Sequence, residues 1–303
     1  MTTAIEAPRL IDIRRPAQSQ VQASRALLEA TVSGLRSNSD KLRLARDVLA
    51  RYPEHRNMTE QAAALIHADP VDIMLATLSY DLCVEGHGCS TVALAASEGP
   101  ILARNLDWSP ADLLAQAGCV LPTACGLEAG FVGCVGVVTG LSNRGFALAL
   151  NAIWCGHTEP GGYPVLLFLR HLLDHASGFA EALNLAATTP LMSGCLISLT
   201  GTRNDERAVV ERTPSSSTLR TPYGDEPLVV TNHYRPRNSV VCCNRYDQLM
   251  ADSLALPARP TDERILACLT REPVFNGGTT HHVLMRPSGG SLRLFVPGDL
   301  LAR

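Results

Sequence analysis

The chain has 303 residues and a net charge of −3, with 46% hydrophobic, 18% charged and 5% aromatic residues. That composition belongs to an ordinary globular protein able to bury a sizeable core, and it excludes disorder over most of the length. Basic and acidic residues number 26 and 29 with no run of five or six like charges, which argues against a nucleic-acid surface. No apolar stretch reaches the roughly 18 residues a membrane helix requires, since the longest candidate, 165–173, is broken by Arg170 and His171. The first twenty residues mix acids, arginines and prolines where a signal peptide would carry a basic start and an apolar centre. The expectation is a cytoplasmic protein with no membrane or nucleic-acid partner, whose ten cysteines are mostly small buried hydrophobes.

In chain order, 21–81 has helical periodicity, with Pro53 and Pro70 as punctuation. After Gly88 the runs STVALAAS, PILARNLDW, FVGCVGVVTGLS and GFALALNAIW are short and apolar, separated by turn residues, and read as strands. Helices are expected over 163–175 and 178–188. Strands follow at CLISLTG, RAVVERT and PLVVTNHY, helices near 240–254 and 262–270, and a final hairpin turns at 288–291. Hairpins in blocks with helices between them predict layered sheets with helices outside, not an alternating parallel array. The glycines at 130, 133, 136 and 140 do not make a nucleotide-binding loop and are expected to let strands pack closely.

The chemistry concentrates around Gly86-His87-Gly88-Cys89-Ser90-Thr91, where the helical region hands over to a strand. A thiolate is nucleophilic in its own right, and a base with a positive neighbour activates it. Taken alone, a Cys between Gly and Ser reads as plain packing, and the functional reading rests on its neighbours. Arg104 and Asp107, 15 and 18 positions downstream on the next strand, can fold back beside Cys89; an Arg and an Asp three apart can also simply pair with each other. Asn151 and Asn232 end two apolar strands, where an Asn amide serves either as a turn cap or as an oxyanion donor. Trp108, Phe131, Trp154 and Phe168 suit either an acyl pocket or the core. His281 and His282, with His87 and His157, do not suggest a metal centre, because adjacent strand residues point to opposite faces. The expectation is therefore no metal and no cofactor.

Cys89-Ser90-Thr91, Arg104-Asn105-Leu106-Asp107-Trp108, Asn151, Thr231-Asn232 and Asn244-Arg245-Tyr246 together resemble the cysteine N-terminal nucleophile (Ntn) hydrolases. The likeness is to the branch of acid ceramidase, N-acylethanolamine amidase and penicillin acyltransferase, and to choloylglycine (bile salt) hydrolase. It implies an α+β fold, a four-layer αββα sandwich of two antiparallel sheets flanked by helices. It implies a helical propeptide or α-subunit over 1–88 and a catalytic β-subunit over 89–303, held together as a heterodimer after the Gly88–Cys89 bond is cut. The implied roles are Cys89 as nucleophile and, through its new α-amine, as base; Asp107 to hold the amine; Arg104 to polarise the thiolate; Asn232, with Asn151 through side chain or backbone, as oxyanion donors; and Arg245 as a brace. The chain departs from the branch at Ala152, where an acid is usual, and at His233-Tyr234, which replaces Tyr-Asp. The implied activity is cleavage of an N-acyl small molecule through an acyl-Cys89 thioester. Acyl transfer to an amine uses the same residues, and a catalytically silent binding protein is the alternative of another class.

Overall fold

The computed structural model describes residues 9–13, 17–82, 87–235 and 242–302. The elements in chain order are β1 (Leu10–Asp12), α1 (Val21–Val32), α2 (Ser39–Arg51), α3 (Pro53–Ile66), α4 (Pro70–Thr77), α5 (Ser79–Leu82), β2 (His87–Leu94), β3 (Ile101–Trp108), α6 (Ala111–Ala117), β4 (Cys119–Thr123), β5 (Gly126–Gly130), β6 (Thr139–Ser142), β7 (Phe146–Ala152), α7 (Val165–His175), α8 (Phe179–Thr188), β8 (Cys195–Thr200), β9 (Arg207–Arg212), β10 (Ser217–Arg220), β11 (Leu228–Val230), α9 (Asn244–Leu254), α10 (Asp262–Leu269), β12 (Thr279–Arg286) and β13 (Ser291–Pro297). No helix among the described residues is long and apolar enough to cross a membrane.

Two antiparallel sheets form the centre. One has the order β1-β13-β12-β3-β2-β11, the other β10-β9-β8-β7-β6-β5-β4. The strand FALALNA of β7 shows why they stack. Its alternate side chains Ala147 and Ala149 face the first sheet, against Ala93, Leu102 and Val283, while Leu148 and Leu150 face Phe168, Leu169 and Leu172 of α7. A strand covered on both faces is apolar along most of its length, as Phe146 to Leu150 read in the sequence, and its one polar side chain, Asn151, is buried with hydrogen-bond partners. On the other side, Val92, Leu94, Ala103 and Leu284 of the first sheet pack on Leu249 of α9 and Ile265 and Leu269 of α10. The layers are therefore helix, sheet, sheet and helix, the expected αββα sandwich. Each leucine so buried contributes on the order of 2 kcal/mol.

Helices α1 to α4 build a further cluster in which Leu28, Val48, Ile66 and Met74 meet Val132, Val135 and Leu167 from the later chain. Pro53 and Pro70 each stand at the first turn of a helix, where the missing N–H loses no intrahelical bond. The segment 1–88 is not wholly helical, because Leu10–Asp12 forms an edge strand on β13. The run Phe131 to Ser142 is a strand only over β6. Its glycines admit a helix and not a neighbouring strand: a Cβ on Gly136 would lie 2.5 Å from Cβ of Leu166, and one on Gly140 would lie 3.0 Å from Leu173. Helix α6 and the β4–β5 hairpin were absent from the sequence reading. Pro122 sits in β4, an edge strand, where a missing donor is tolerated. Strand β10, Ser217–Arg220, pairs with β9 and was likewise absent from the sequence reading. Positions 240 and 241 of the expected helix lie outside the described residues, and α9 begins after Cys243. Cys242 is thus exposed and outside any helix, not packed in one.

Asp81 of α5 anchors the end of the N-terminal helices. Its carboxylate accepts from Ser193 Oγ at 2.6 Å and from the N–H of Val165, the first residue of α7, at 3.3 Å. Burial pushes its pKa up to about 7, opposed by those hydrogen bonds. The folded-state value lies above the unfolded one near 3.8, so the folded chain binds this proton more tightly. Its stabilising contribution is complete below pH 4 and is lost as pH rises towards 7. Asp81→Asn, which cannot ionise, should therefore gain about 2 to 3 kcal/mol relative to wild type between pH 5 and pH 8, measured by urea unfolding at both values. A stability difference independent of pH would exclude this titration.

Candidate active site

Strands β2 and β3 pair so that Gly88 faces Asp107, Cys89 faces Leu106 and Thr91 faces Arg104. Strand side chains alternate, so Arg104 and Asp107, an odd number apart, fall on opposite faces of β3. Arg104 meets the Cys89 side chain, while Asp107 lies against the preceding residue, Gly88. Arg104 points between the sheets and donates from Nη2 to Cys89 Sγ at 2.8 Å. Its other donors go to neutral oxygens: Thr139 Oγ1 at 2.9 Å, Val138 O at 3.2 Å and Asn105 O. The guanidinium is fully buried, and no carboxylate among the described residues pairs with it.

Asp107 lies on the outer face, beside α9. Its Oδ1 accepts from Thr279 Oγ1 at 2.7 Å, and its Oδ2 accepts from Asn276 Nδ2 at 3.1 Å and Arg245 Nη1 at 3.2 Å. A Cβ on Gly88 would stand 3.0 Å from that of Asp107, so glycine is what lets the backbone before Cys89 lie against the carboxylate. Arg245, at the start of α9, also donates to Cys89 O at 2.9 Å and Asn232 Oδ1 at 2.8 Å. It ties the outer face together.

Asn232 follows β11, which is shorter than the sequence suggests: the chain leaves the ladder after Val230. Asn232 was expected as an oxyanion donor. In this uncut chain its Oδ1 accepts the peptide N–H of Cys89 at 3.0 Å, while Nδ2 donates to Ala152 O at 2.7 Å. Asn151 was expected as a second donor, but its side chain is occupied elsewhere. Its Oδ1 accepts from Thr91 Oγ1 at 2.7 Å and its Nδ2 donates to Val230 O. The groups that do face the sulfur are the backbone N–H of Ala152 and the indole N–H of Trp108.

Cys89 is fully buried. Burial pushes its thiol up, Arg104 pulls it down, Asp107 pushes it up, and the N–H groups of Ala152 and Trp108 pull it down. The net direction is upward, so in the uncut chain the sulfur carries its proton. Gly86, part of the segment singled out in the sequence, lies outside the described residues.

Cavities adjoin the site on the far side of Trp108. One of about 80 Å³ is walled by Leu27, Leu28, Ile66, Trp108 and Phe131, another of about 40 Å³ by Leu106, Trp108, Phe131 and His281. Phe168, by contrast, is core and Trp154 is exposed. A cavity of about 470 Å³ opens at the other end of β2 around Leu94 to Ser97 and is lined by none of the site residues above. The described residues contain no group of three or more His, Cys, Asp or Glu side chains placed to hold a metal. His171 and His175, overlooked in the sequence, have a helical pair spacing, but their rings stack at 4.4 Å and His175 Nδ1 meets His171 O.

Sequence reasoning missed Asn276, Thr279, Trp108 as a partner of the sulfur, and the Ala152 N–H. Asn276 carried a turn signal, in Asn-Gly-Gly-Thr, but nothing local tied it to a residue 169 positions away.

Two antiparallel sheets between helices, with a Cys-Ser-Thr strand laid against Arg-Asn-Leu-Asp, are the fold and strand pattern of the Ntn-hydrolase superfamily. The chain belongs to the acyl-coenzyme A:6-aminopenicillanic acid acyl-transferase family, whose family model matches residues 94–261. That range holds Arg104, Asp107, Asn151, Asn232 and Arg245, and it begins after Cys89. Among solved structures, the Caenorhabditis elegans N-acylethanolamine-hydrolyzing acid amidase ortholog is similar at 20% identity and a TM-score of 0.57, over 66% of this chain and 93% of that one. A mutant of conjugated bile acid hydrolase from Clostridium perfringens aligns at 13% identity and a TM-score of 0.45, over 70% and 94%. The likeness to the amidase ortholog is one of fold. No curated protein sequence matches the chain.

Proposed function

We propose that this chain is a self-processing cysteine amidohydrolase that cleaves the amide bond of an N-acyl small molecule through an acyl-Cys89 thioester. The observation that carries the reading is the buried Arg104 guanidinium, 2.8 Å from Cys89 Sγ and without a carboxylate partner among the described residues. A buried cation without an anion is unfavourable unless an anion forms beside it, and the Cys89 thiolate is the group placed to do so.

In maturation the Cys89 sulfur attacks the Gly88 carbonyl carbon, the C–N bond breaks, and the thiol proton passes to the Cys89 nitrogen. Water then hydrolyses the resulting thioester, freeing the Gly88 carboxylate, the thiol and an α-amine. Asn232 Oδ1 already holds that nitrogen, and Asp107 lies against the residue before it. An α-amine titrates near 7.7 to 8.0 and can take the thiol proton without a histidine. In turnover the thiolate adds to the substrate acyl carbon, the amine half leaves with the proton, and water cleaves the thioester. The apolar cavities behind Trp108 suit the acyl group. Chains 1–88 and 89–303 would stay joined as a heterodimer by β1 on β13 and by the cluster that α1 to α4 share with Val132, Val135 and Leu167.

The family's description favours a second reading, transfer of the acyl group to an amine in place of water. One experiment addresses both. Matured protein is incubated with a panel of N-acyl amides, with and without a competing amine, and followed by intact mass. The expected result is an 89–303 fragment heavier by the acyl group, decaying to free acid; a new amide in the presence of the amine selects transfer. No adduct and no product from any member would reject acyl chemistry at Cys89.

A further inference from the structure

Strand β12 pairs with β3 through a bulge: Thr279 faces Asp107, and His281 faces Leu106, which in turn faces Cys89 on β2. Without the extra residue Thr280, Thr279 and His281 would share a face. The bulge sends Thr279 outward to Asp107 and turns His281 inward, into the same row as the sulfur. Bulges beside active sites commonly re-aim a side chain in this way.

His281 is buried, with 5% of its surface exposed, and forms part of the wall of the 40 Å³ cavity with Leu106, Trp108 and Phe131. Its tautomer follows from its neighbour. Thr280 Oγ1 gives its proton to Leu106 O at 3.1 Å and therefore accepts from His281 Nδ1 at 3.2 Å. Nε2 is then a bare lone pair, and it meets no donor among the described residues. Burial, the Arg104 charge and His282 together lower the pKa of this imidazole to about 3, so it stays neutral. Glu128, the acid in the same wall, is committed to Arg170. An orphaned acceptor in the wall of a mostly apolar pocket calls for a donor on whatever fills it.

Resting on the acyl-Cys89 reading, the structure assigns His281 as the residue that selects the acyl group: its Nε2 accepts from a neutral hydroxyl or amide N–H carried on a short acyl chain. The two adjoining cavities, about 40 and 80 Å³, have room for roughly four water-sized groups at about 30 Å³ each. A site built around a buried acceptor discriminates against the analogue that leaves it unpaired.

The test compares butanoyl amides with 2-, 3- and 4-hydroxybutanoyl amides of the same amine, and reads the ratio of kcat/KM within each enzyme so that changes in general rate cancel. In the wild type one hydroxylated substrate should be favoured by about tenfold or more. His281→Leu should bring that ratio to near one, and His281→Gln, which keeps an acceptor oxygen, should restore part of it. A ratio near one in the wild type, or one unchanged in His281→Leu, overturns the assignment. Calorimetric binding of free butanoic and hydroxybutanoic acids gives a readout that needs no turnover. If no amide reacts, the acyl-Cys89 reading fails, and equal affinities for the acids overturn the role of His281 separately.

Discussion

Replacing Cys89 with alanine should leave the chain whole, while wild type appears on an intact-mass spectrum as fragments 1–88 and 89–303. The Gly88–Cys89 bond lies within β2, hydrogen-bonded against β3. The sulfur is the group able to reach the Gly88 carbonyl through a five-membered ring, so its removal abolishes both the cut and every later turnover. The substitution removes one sulfur from a fully buried site and keeps the backbone contacts to Asn232 and Arg245, so circular dichroism should be unchanged. Scission of Cys89→Ala at this bond, or a wild-type chain that hydrolyses amides while remaining uncut, would contradict the maturation scheme.

Arg104→Met should lower kcat/KM by about 10² to 10³-fold, the effect of removing one preorganised charge from a reacting centre. Methionine keeps the stem and volume but removes the donor at 2.8 Å from the sulfur. Arg104→Lys should not recover the loss, because one ammonium cannot hold Sγ, Thr139 Oγ1 and Val138 O in the fork that the guanidinium fills. Those bonds also tie β3 to the second sheet, so activity alone does not separate charge from structure. The pH profile of Cys89 alkylation in the matured enzyme does. With Arg104 the attraction lowers the thiol pKa, and without it the profile should move to higher pH. An unmoved profile in a folded variant would mean that Arg104 only holds the sheets together.

The sandwich was legible where a single element's pattern suffices. FALALNA reads as a strand because both of its faces are covered, and 21–81 reads as helices because apolar residues recur with their period and proline marks the first turns. The β4–β5 hairpin was not legible, since Pro122 and three closely spaced glycines at 126, 130 and 133 break any period. Leu10–Asp12 is three residues long and becomes a strand only because β13 is beside it. Within the site, Cys89, Arg104 and Asp107 were visible together through their spacing on two consecutive strands. For Asn151 the neighbours of its side chain were not legible, because a strand-end amide serves whichever group it meets, and Thr91 and Val230 are the ones it meets.

By itself the amino-acid sequence determined which residue is the nucleophile candidate, which charges stand near it along the chain, and which segments are helix or strand, because each depends on chemistry or periodicity over fewer than about twenty positions. Only the tertiary structure decided which face each side chain takes. A one-residue bulge at Thr280 moves His281 from the outer surface of its sheet to the pocket, and contacts spanning 143 to 172 positions deliver Asn232, Arg245, Asn276 and Thr279 to Cys89 or to Asp107 beside it. Register and layer packing set those contacts, and neither is encoded in any short stretch of the chain.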